Sequence, residues 1–339
     1  MSKRSKYINN KAFHRPTMAT VAEAVGVSQM TVSRVLRHPD SVQPETRRKV
    51  EAAMRRVGYV PDLVASALAS RRSNIIAVVV PTIASSLFAD AIRGASNKAA
   101  VAGMQIFVAE TDYLPLKEEK LVEELLGRRP AGIIIVGVTH TERTSRLLTQ
   151  SGIPVVEVWD QTPTPIDNLV GFSNEQACYA MTEALIDKGY ADIAFVGSLD
   201  SRAQKRFKGY LRAMKEHELT VPDSFMLSDW VSVRSGVQFA KNIVAAGKVP
   251  RAMFFASDAL AAGALLELPR LGLEIPRDVA IAGFGGFDYS EFLNPSLSTV
   301  EVERYEIGAS AVEIILASET RKDSISIDVG YRIALREST

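Results

Sequence analysis

The chain has 339 residues, a formal net charge of +1, and 47% hydrophobic and 23% charged residues, a composition that excludes a disordered or fibrous protein. Its single cysteine, Cys178, excludes an intramolecular disulfide, and no apolar run approaches the ~18 residues of a membrane span. Charge is unevenly distributed, because residues 1–72 contain 14 Lys and Arg against 5 Asp and Glu. This excess predicts a nucleic acid as partner of the N-terminal segment.

The N-terminal quarter of the chain divides into an arm, a small helical domain and a hinge. Residues 1–15 are polar and basic, which predicts a disordered arm; they have no apolar segment typical of a signal peptide, so we expect a cytoplasmic protein without a membrane partner. Residues 16–61 show three short helical patterns. Residues 62–74 are rich in small side chains and are predicted to form a hinge.

Residues 75–339 have a different pattern, in which short runs of Ile and Val alternate with longer amphipathic stretches. This alternation is typical of βαβ units, and it predicts an α/β fold with doubly wound parallel sheets. About 265 residues are many for one sheet, so we expect two lobes around a ligand-binding cleft. The predicted strands are Ile75 to Val80, Gln105 to Glu110, Gly132 to Val136, Pro154 to Trp159, Leu169 to Phe172, Ile193 to Val196, Ala252 to Ala256, Val279 to Phe284 and Leu297 to Val302.

The segment Thr17 to Leu36 has the pattern of a helix, a tight turn at Gly26 and a second helix that Ser28 can cap. In the second helix Val32, Val35 and Leu36 share one face, which leaves polar residues on the other. Arg can bond guanine, Gln can bond adenine, and a Met or Thr methyl can contact thymine, so the exposed face suits a major groove. An ordinary surface helix is the alternative, and the surrounding positive charge favours DNA binding.

These residues resemble the lactose/galactose repressor family of bacterial transcription factors. The shared motifs are Val21-Ala22, Gly26-Val27-Ser28, Thr31-Val32-Ser33-Arg34-Val35-Leu36, Thr46-Arg47 and Gly58-Tyr59-Val60-Pro61. The resemblance implies that Gln29, Met30 and Arg34 read bases in the major groove. It implies that further residues hold the DNA backbone, namely Thr17, Ser28, Thr31, Ser33 and Tyr59.

In that family the hinge becomes helical on the operator and a leucine, here Leu68, enters the minor groove between Ala65 and Ala69. A packing contact within a linker is the alternative role for a single leucine. Two positions depart from the family pattern. Thr20 replaces the usual acidic residue and Gln43 the usual capping serine, and each departure is expected to weaken a helix cap.

The resemblance extends over nearly the whole chain and implies a two-lobed core like that of periplasmic binding proteins. It assigns residues 75–172 and 303–324 to lobe 1, and residues 173–298 and 325–339 to lobe 2. The chain ends without the C-terminal leucine heptads that tetrameric members carry, so we expect a homodimer. A two-fold symmetric dimer predicts double-stranded operator DNA that is nearly palindromic, in a nucleoid-associated bacterial regulator.

Candidate effector contacts lie where predicted strands end, because ligands of open α/β sheets bind there. By family position they are Phe88, Val138, His140, Trp159, Asp160, Phe172, Arg206, Trp230, Asp258 and Gly285. Arg206 is the leading candidate because its planar guanidinium can hold a carboxylate or paired hydroxyls. Phe172 and Trp230 offer apolar faces to a sugar or pack in the core.

The ligand class follows from Gly285, where sugar-binding relatives commonly have an aspartate. Without that carboxylate an anionic ligand meets less repulsion near Arg206. Several motifs also resemble the gluconate-repressor branch, including Val138-Thr139-His140-Thr141 and Lys208-Gly209-Tyr210. The sequence therefore predicts a repressor that a sugar acid, gluconate or a related aldonate, releases from DNA. A neutral sugar, a nucleoside or a corepressor remains the alternative.

Other classes of function find little support in the sequence. The four histidines lack metal-ligand spacing, and the fingerprints of dinucleotide, P-loop and nucleophile-elbow enzymes are not found. A solute-binding protein of a transporter would share the core but would need an export signal. We therefore expect a regulator without enzymatic activity and without a cofactor.

Overall fold

The computed structural model describes residues 16–60, 73–227, 231–318 and 323–339. The chain divides into two compact units, Met1–Arg71 and Arg72–Thr339. The first unit is the headpiece and the second is the core. No helix in the described part of the chain combines the length and the apolar character that crossing a bilayer requires.

In its described residues the headpiece has three α-helices around a small apolar centre. They are α1 (Met18–Val25), α2 (Gln29–Arg37) and α3 (Pro44–Val57). Gly26 ends α1 with a φ of 74°, a conformation that glycine adopts without strain, and so allows the tight turn into α2. The apolar centre contains Val21, Ala22, Val32, Val35, Val50 and Ala53.

The helix caps of the headpiece correct one expectation and agree with another. The Thr17 hydroxyl accepts a hydrogen bond from the Thr20 backbone N–H, and the Thr20 hydroxyl accepts one from the Thr17 N–H. Thr20 therefore closes a capping box without an acidic side chain, and the expected weakening of this cap is wrong. Gln43 makes no side-chain cap on α3, which begins with Pro44.

The core contains twelve strands and eight α-helices in its described residues. The strands are β1 (Ile75–Val80), β2 (Gln105–Glu110), β3 (Gly132–Val136), β4 (Val155–Val158), β5 (Asn168–Gly171), β6 (Ile193–Ser198), β7 (Phe225–Leu227), β8 (Ala252–Phe255), β9 (Ala280–Gly285), β10 (Ser298–Glu301), β11 (Ser326–Asp328) and β12 (Arg332–Ala334). The helices are α4 (Ser86–Val101), α5 (Pro115–Leu126), α6 (Glu142–Gln150), α7 (Asn174–Asp187), α8 (Ser201–Glu216), α9 (Val233–Ala245), α10 (Asp258–Glu267) and α11 (Arg304–Ala317).

The strands form two six-stranded sheets, which confirms the predicted α/β class with parallel sheets. The first sheet, the centre of lobe 1, has the order β11-β5-β4-β3-β1-β2, and the second, the centre of lobe 2, has the order β12-β10-β9-β8-β6-β7. Only β12 runs antiparallel to its neighbour among these pairs. The predicted division gave residues 325–339 to lobe 2, whereas Ser326 to Asp328 pair with β5 in lobe 1. The chain therefore returns to lobe 2 between β11 and β12.

Helices α4 and α11 of lobe 1 approach each other closely through glycines. A Cβ atom on Gly308 would overlap the Ala91 carbonyl, and one on Gly94 would overlap the Tyr305 carbonyl. Both obstacles are backbone atoms, which cannot move aside as a flexible side chain can. The two glycines therefore set the distance between these helices.

We predict that Gly308→Ala lowers the free energy of unfolding of the core by about 3 kcal/mol, because the added methyl group forces α4 and α11 apart. Urea denaturation followed by circular dichroism measures the change. Gly127→Ala is the matched control, since its φ is −59° and an added Cβ meets no atom closer than 3.4 Å. Equal losses in the two variants would contradict the close-packing argument.

Candidate operator-reading surface and effector cleft

The outer face of α2 carries the side chains predicted to read DNA. Gln29 and Arg34 are exposed, and Met30 is 71% exposed although it is apolar. Val32 and Val35 on the opposite face are buried in the headpiece centre. The helix thus turns an apolar face inward and offers donors and a methionine methyl to solvent, as a helix entering the major groove does.

The residues predicted to hold the DNA backbone lie near the start of α2 and at both ends of the headpiece. The Ser28 hydroxyl caps α2 by accepting from the Thr31 N–H at 3.1 Å, which fixes where the helix begins. Ser33 is half-buried, Thr17 is exposed, and Tyr59 packs partly against the apolar centre. Ala65, Leu68 and Ala69 lie outside the described residues.

A cleft of about 770 Å³ lies between the two lobes of the core. It is bordered by loops that follow the carboxyl ends of β1, β2, β3 and β6, where open parallel sheets bind ligands. The polar residues on its walls come from both lobes. They are Thr111, Asp112, Tyr113, Glu118, Thr139, Ser198, Asp200, Ser201 and Arg202.

Three of the predicted contacts, Phe88, Trp159 and Phe172, are buried and form a continuous aromatic row. Their ring centroids lie 5.5 Å apart for Phe88 and Trp159 and 6.3 Å apart for Trp159 and Phe172. Phe172 then stacks on Phe284 of lobe 2 at 6.1 Å. The row therefore joins the two lobes beside the cleft, and its rings already contact one another.

Arg206 continues this row, since its guanidinium lies 3.8 Å from the centre of the Phe284 ring. Its Nε donates to the Asn174 side-chain oxygen at 2.8 Å, and Nη1 donates to the Ala256 carbonyl at 2.6 Å. Burial lowers the pKa of Arg206 to about 10, against the raising effect of Asp200, so the group stays charged at neutral pH. Arg206 thus has a structural role whether or not it also contacts a ligand.

Most of the other predicted contacts are engaged by partners within the protein. Asp160 pairs with Lys205 at 2.6 Å, and Val138 is half-buried after β3. Asp258 accepts hydrogen bonds within lobe 2 from the Phe287 N–H, the Ser290 hydroxyl and the Thr299 hydroxyl. Trp230 lies outside the described residues.

Gly285 and His140 also have partners other than the open cleft. Gly285 has a φ of 124°, and its carbonyl accepts from Arg304, which also pairs with Asp90 of lobe 1. The His140 ring faces Glu118 at 2.7 Å and Glu157 at 3.5 Å, and its side chain is 1% exposed. Burial opposes its charge, but the hydrogen bond to Glu118 and the charges of both carboxylates raise the pKa of His140 to about 9.

The charged side chains on the cleft walls differ in whether they have partners. Asp112 pairs with Lys117, and Glu118 pairs with His140. Asp200 accepts from the backbone N–H groups of Arg202 and Ala203 and from the Ser198 hydroxyl.

Arg202 extends over the Phe88 ring at 5.4 Å, and its residue is 6% exposed. Its nearest carboxylate is that of Asp200, whose oxygen lies 3.9 Å from Nε. Nη1 is buried and has no hydrogen-bond partner among the described residues. Arg202 therefore lines the cleft and has one buried donor atom that is unsatisfied, whereas the described carboxylates of the cleft walls have partners.

The sequence prediction missed Arg202, Asp200 and Tyr113 as cleft residues. Tyr113 follows β2, and Asp200 and Arg202 follow β6, so the same strand-end rule that selected the other candidates applies to them. Their position after a strand could have identified them, but candidates were chosen by family position, which does not include these loops.

Comparison with known proteins agrees with this architecture. Residues 17–62 match the bacterial regulatory proteins of the lacI family, and residues 182–339 match a periplasmic binding protein-like domain. The HTH-type transcriptional regulator GntR of Escherichia coli (strain K12) is 36% identical over 326 residues, which cover 94% of this chain and 97% of that protein.

The chain belongs to the lacI family.

Two solved structures of lacI-family proteins extend the likeness to the fold. A transcriptional regulator from Silicibacter pomeroyi has a TM-score of 0.89 and 36% identity, covering 95% of this chain and 99% of that one. A lac repressor dimer bound to operator and the anti-inducer ONPF has a TM-score of 0.82 and 27% identity, covering 96% and 99%. As its relatives are named regulators, this lacI-family chain is a DNA-binding transcriptional regulator and not an enzyme.

We predict that Asp258→Ala destabilises the core by about 3 kcal/mol, because three buried donors lose their acceptor. Burial raises the pKa of Asp258, whereas these hydrogen bonds lower it, so the ionised form of Asp258 depends on all three. Denaturation midpoints measure the effect, with the exposed Asp288→Ala as control. A stable Asp258→Ala protein that fails to bind its effector would instead indicate a direct ligand contact.

Proposed function

We propose that this regulator represses transcription from a nearly palindromic operator in the bacterial cytoplasm and that a sugar acid in the interlobe cleft releases it. Gluconate is the ligand that the resemblance to the gluconate-repressor branch favours. The observation that carries the ligand class is the buried, unsatisfied Nη1 of Arg202 in a cleft whose carboxylates have partners. Such a donor is stabilised by an anionic acceptor.

The DNA-binding part of the proposal is supported by the exposed face of α2. Gln29 and Arg34 can each make two hydrogen bonds to a base, and Met30 can contact the thymine methyl. Arg34 lies on the same face within one turn of Met30, so a single groove can accommodate both. Phosphate contacts from the basic headpiece make the affinity depend on salt.

The sugar-acid part of the proposal is supported by the two kinds of group on the cleft walls. Arg202 supplies a cation for a carboxylate, while Ser198, Thr111 and Thr139 supply hydroxyls that can bond the hydroxyls of a polyol chain. The volume of about 770 Å³ falls in the range of small-molecule sites. A neutral sugar would leave Arg202 with Asp200, 3.9 Å from Nε, as its only carboxylate within ion-pair distance among the described residues.

A homodimer is the assembly that suits the proposed operator. Two reader helices related by a two-fold axis bind two half-sites about one helical turn apart. The similar lac repressor structure is a dimer bound to operator. We therefore propose the same assembly for this chain.

Fluorescence anisotropy of a labelled duplex from the region upstream of the gene tests the proposal. At fixed salt we expect tight binding that gluconate weakens by about 5- to 150-fold, the usual range of allosteric coupling. Glucose at the same concentration should have little effect, because it lacks the carboxylate. Tighter binding with gluconate would contradict the inducer role, and no response would contradict gluconate as effector.

The Arg34→Ala variant is the control for sequence reading in the same assay. We expect it to lose about 1–3 kcal/mol of discrimination between operator and random duplex while it still binds gluconate. Unchanged discrimination would contradict the assignment of α2 as the reader helix.

We predict that Arg202→Met raises the Kd of gluconate by about 30-fold, because one hydrogen bond between charged groups contributes about 2 kcal/mol. Isothermal titration calorimetry measures the binding directly, without DNA. Arg212→Met is the matched control on the same helix, since Arg212 pairs with Glu175 away from the cleft. Similar gluconate affinity in both variants would contradict Arg202 as the carboxylate contact.

A further inference from the structure

A buried histidine lies behind the wall of the cleft and pairs with one of its acidic residues. His140 follows β3, Glu118 lies on α5 and Glu157 lies on β4. The His140 Nδ1 is 2.7 Å from a Glu118 oxygen, and Nε2 is 3.5 Å from a Glu157 oxygen. Glu118 borders the cleft, whereas His140 does not.

The three residues differ in their exposure to solvent, and this exposure decides which of their charges acts on a ligand in the cleft. The side chains of His140 and Glu157 are 1% and 2% exposed, while that of Glu118 is 13% exposed. Glu157 is further engaged by the Ile166 N–H, which donates to its second oxygen at 2.6 Å. Glu118 is therefore the member of the trio whose charge reaches a ligand.

We infer that His140 is a positioning residue: its positive charge compensates the Glu118 carboxylate, so that the cleft can accept an anionic ligand beside Arg202. This inference rests on the proposed sugar-acid effector. With the imidazole charged, two carboxylates and one cation give the trio a net charge of −1. Loss of the imidazole charge makes it −2 and leaves the Glu118 carboxylate uncompensated at the cleft wall.

The effect on an anionic ligand is large enough to measure. An added negative charge about 10 Å from the ligand carboxylate, at an effective dielectric constant of about 20, weakens binding by roughly tenfold. A neutral ligand does not experience this repulsion. The pair thus acts on the choice between charged and neutral ligands and not on the shape of the cleft.

The same geometry makes anion binding depend on pH. Glu118 from α5 and Glu157 from β4 are the charged groups that face the imidazole among the described residues, and together they raise the pKa of His140 to about 9. The charge is present below this pH and lost above it. Gluconate itself stays ionised over this range, so its affinity should fall as the pH rises through about 9.

Calorimetry of gluconate binding to full-length variants tests the inference. We expect His140→Gln to raise the Kd about tenfold at pH 7.5. The double variant His140→Gln with Glu118→Gln restores the net charge of −1 and should come within about twofold of the unsubstituted protein. Between pH 7.5 and 9.5 the unsubstituted protein should lose affinity toward the His140→Gln value, whereas the double variant should show no such change.

The outcomes separate this inference from the proposed effector. If His140→Gln binds gluconate normally, or if Glu118→Gln fails to restore binding, the role in ligand charge is overturned and a purely structural role is favoured. If the unsubstituted protein does not bind gluconate at all, the proposed effector is overturned and this inference with it. Circular dichroism of the His140→Gln variant checks that it is folded.

Discussion

The core depends on a buried guanidinium that has no carboxylate within ion-pair distance among the described residues. Arg206 is held by neutral acceptors, the Asn174 side chain and the Ala256 carbonyl, and by the face of Phe284. Asn174 in turn donates to the Trp159 carbonyl and to Asp160 in lobe 1. A charge buried in this way is costly unless its donors are satisfied, so Asn174, Phe284 and the ends of two strands must keep their positions. The network therefore fixes how the lobes meet next to the cleft.

The cleft walls differ from this network in the partners of their charged side chains. The acidic residues on the walls are paired or bonded to backbone N–H groups, as Asp200 is at the start of α8. Burial opposes the charge of Asp200, but the nearby charge of Arg202 and the hydrogen bond from Ser198 lower its pKa. Arg202, two residues further along, has a buried Nη1 donor without a hydrogen-bond partner among the described residues. In the proposed function, a ligand that supplies this acceptor binds between loops of both lobes and favours one of their relative positions. If operator binding favours a different position, each of the two ligands lowers the affinity for the other by the same factor.

Much of the fold could be predicted because most strands are buried on both faces and appear as continuous apolar runs. All nine predicted runs are strands; three match the predicted bounds at both ends, and the other six differ by one or two residues at one or both ends. The three strands that were missed, Phe225–Leu227, Ser326–Asp328 and Arg332–Ala334, have three residues each, lie at sheet edges and are partly exposed. Such strands form because a neighbouring strand offers hydrogen bonds. The local sequence pattern does not show which segment will be that neighbour. The placement of β11 in lobe 1 is missing from the prediction for the same reason.

The cleft was less predictable, because which side chains remain free depends on partners that are distant in sequence. Asp258 and Arg206 follow the strand-end rule, yet Thr299 and Asn174 engage them from 41 and 32 residues away. At Gly285 the sequence pattern and the loop geometry can be compared directly. The sequence suggested an anionic ligand because an aspartate is missing there; in the structure the backbone at Gly285 has a φ of 124°, and an added Cβ would lie 2.9 Å from the Phe287 ring and 3.1 Å from Leu87. A side chain with a carboxylate at this position would need a different loop conformation, so this loop conformation requires the glycine. The missing acid at Gly285 and the unsatisfied Nη1 of Arg202 are separate observations, and both favour the proposed anionic ligand.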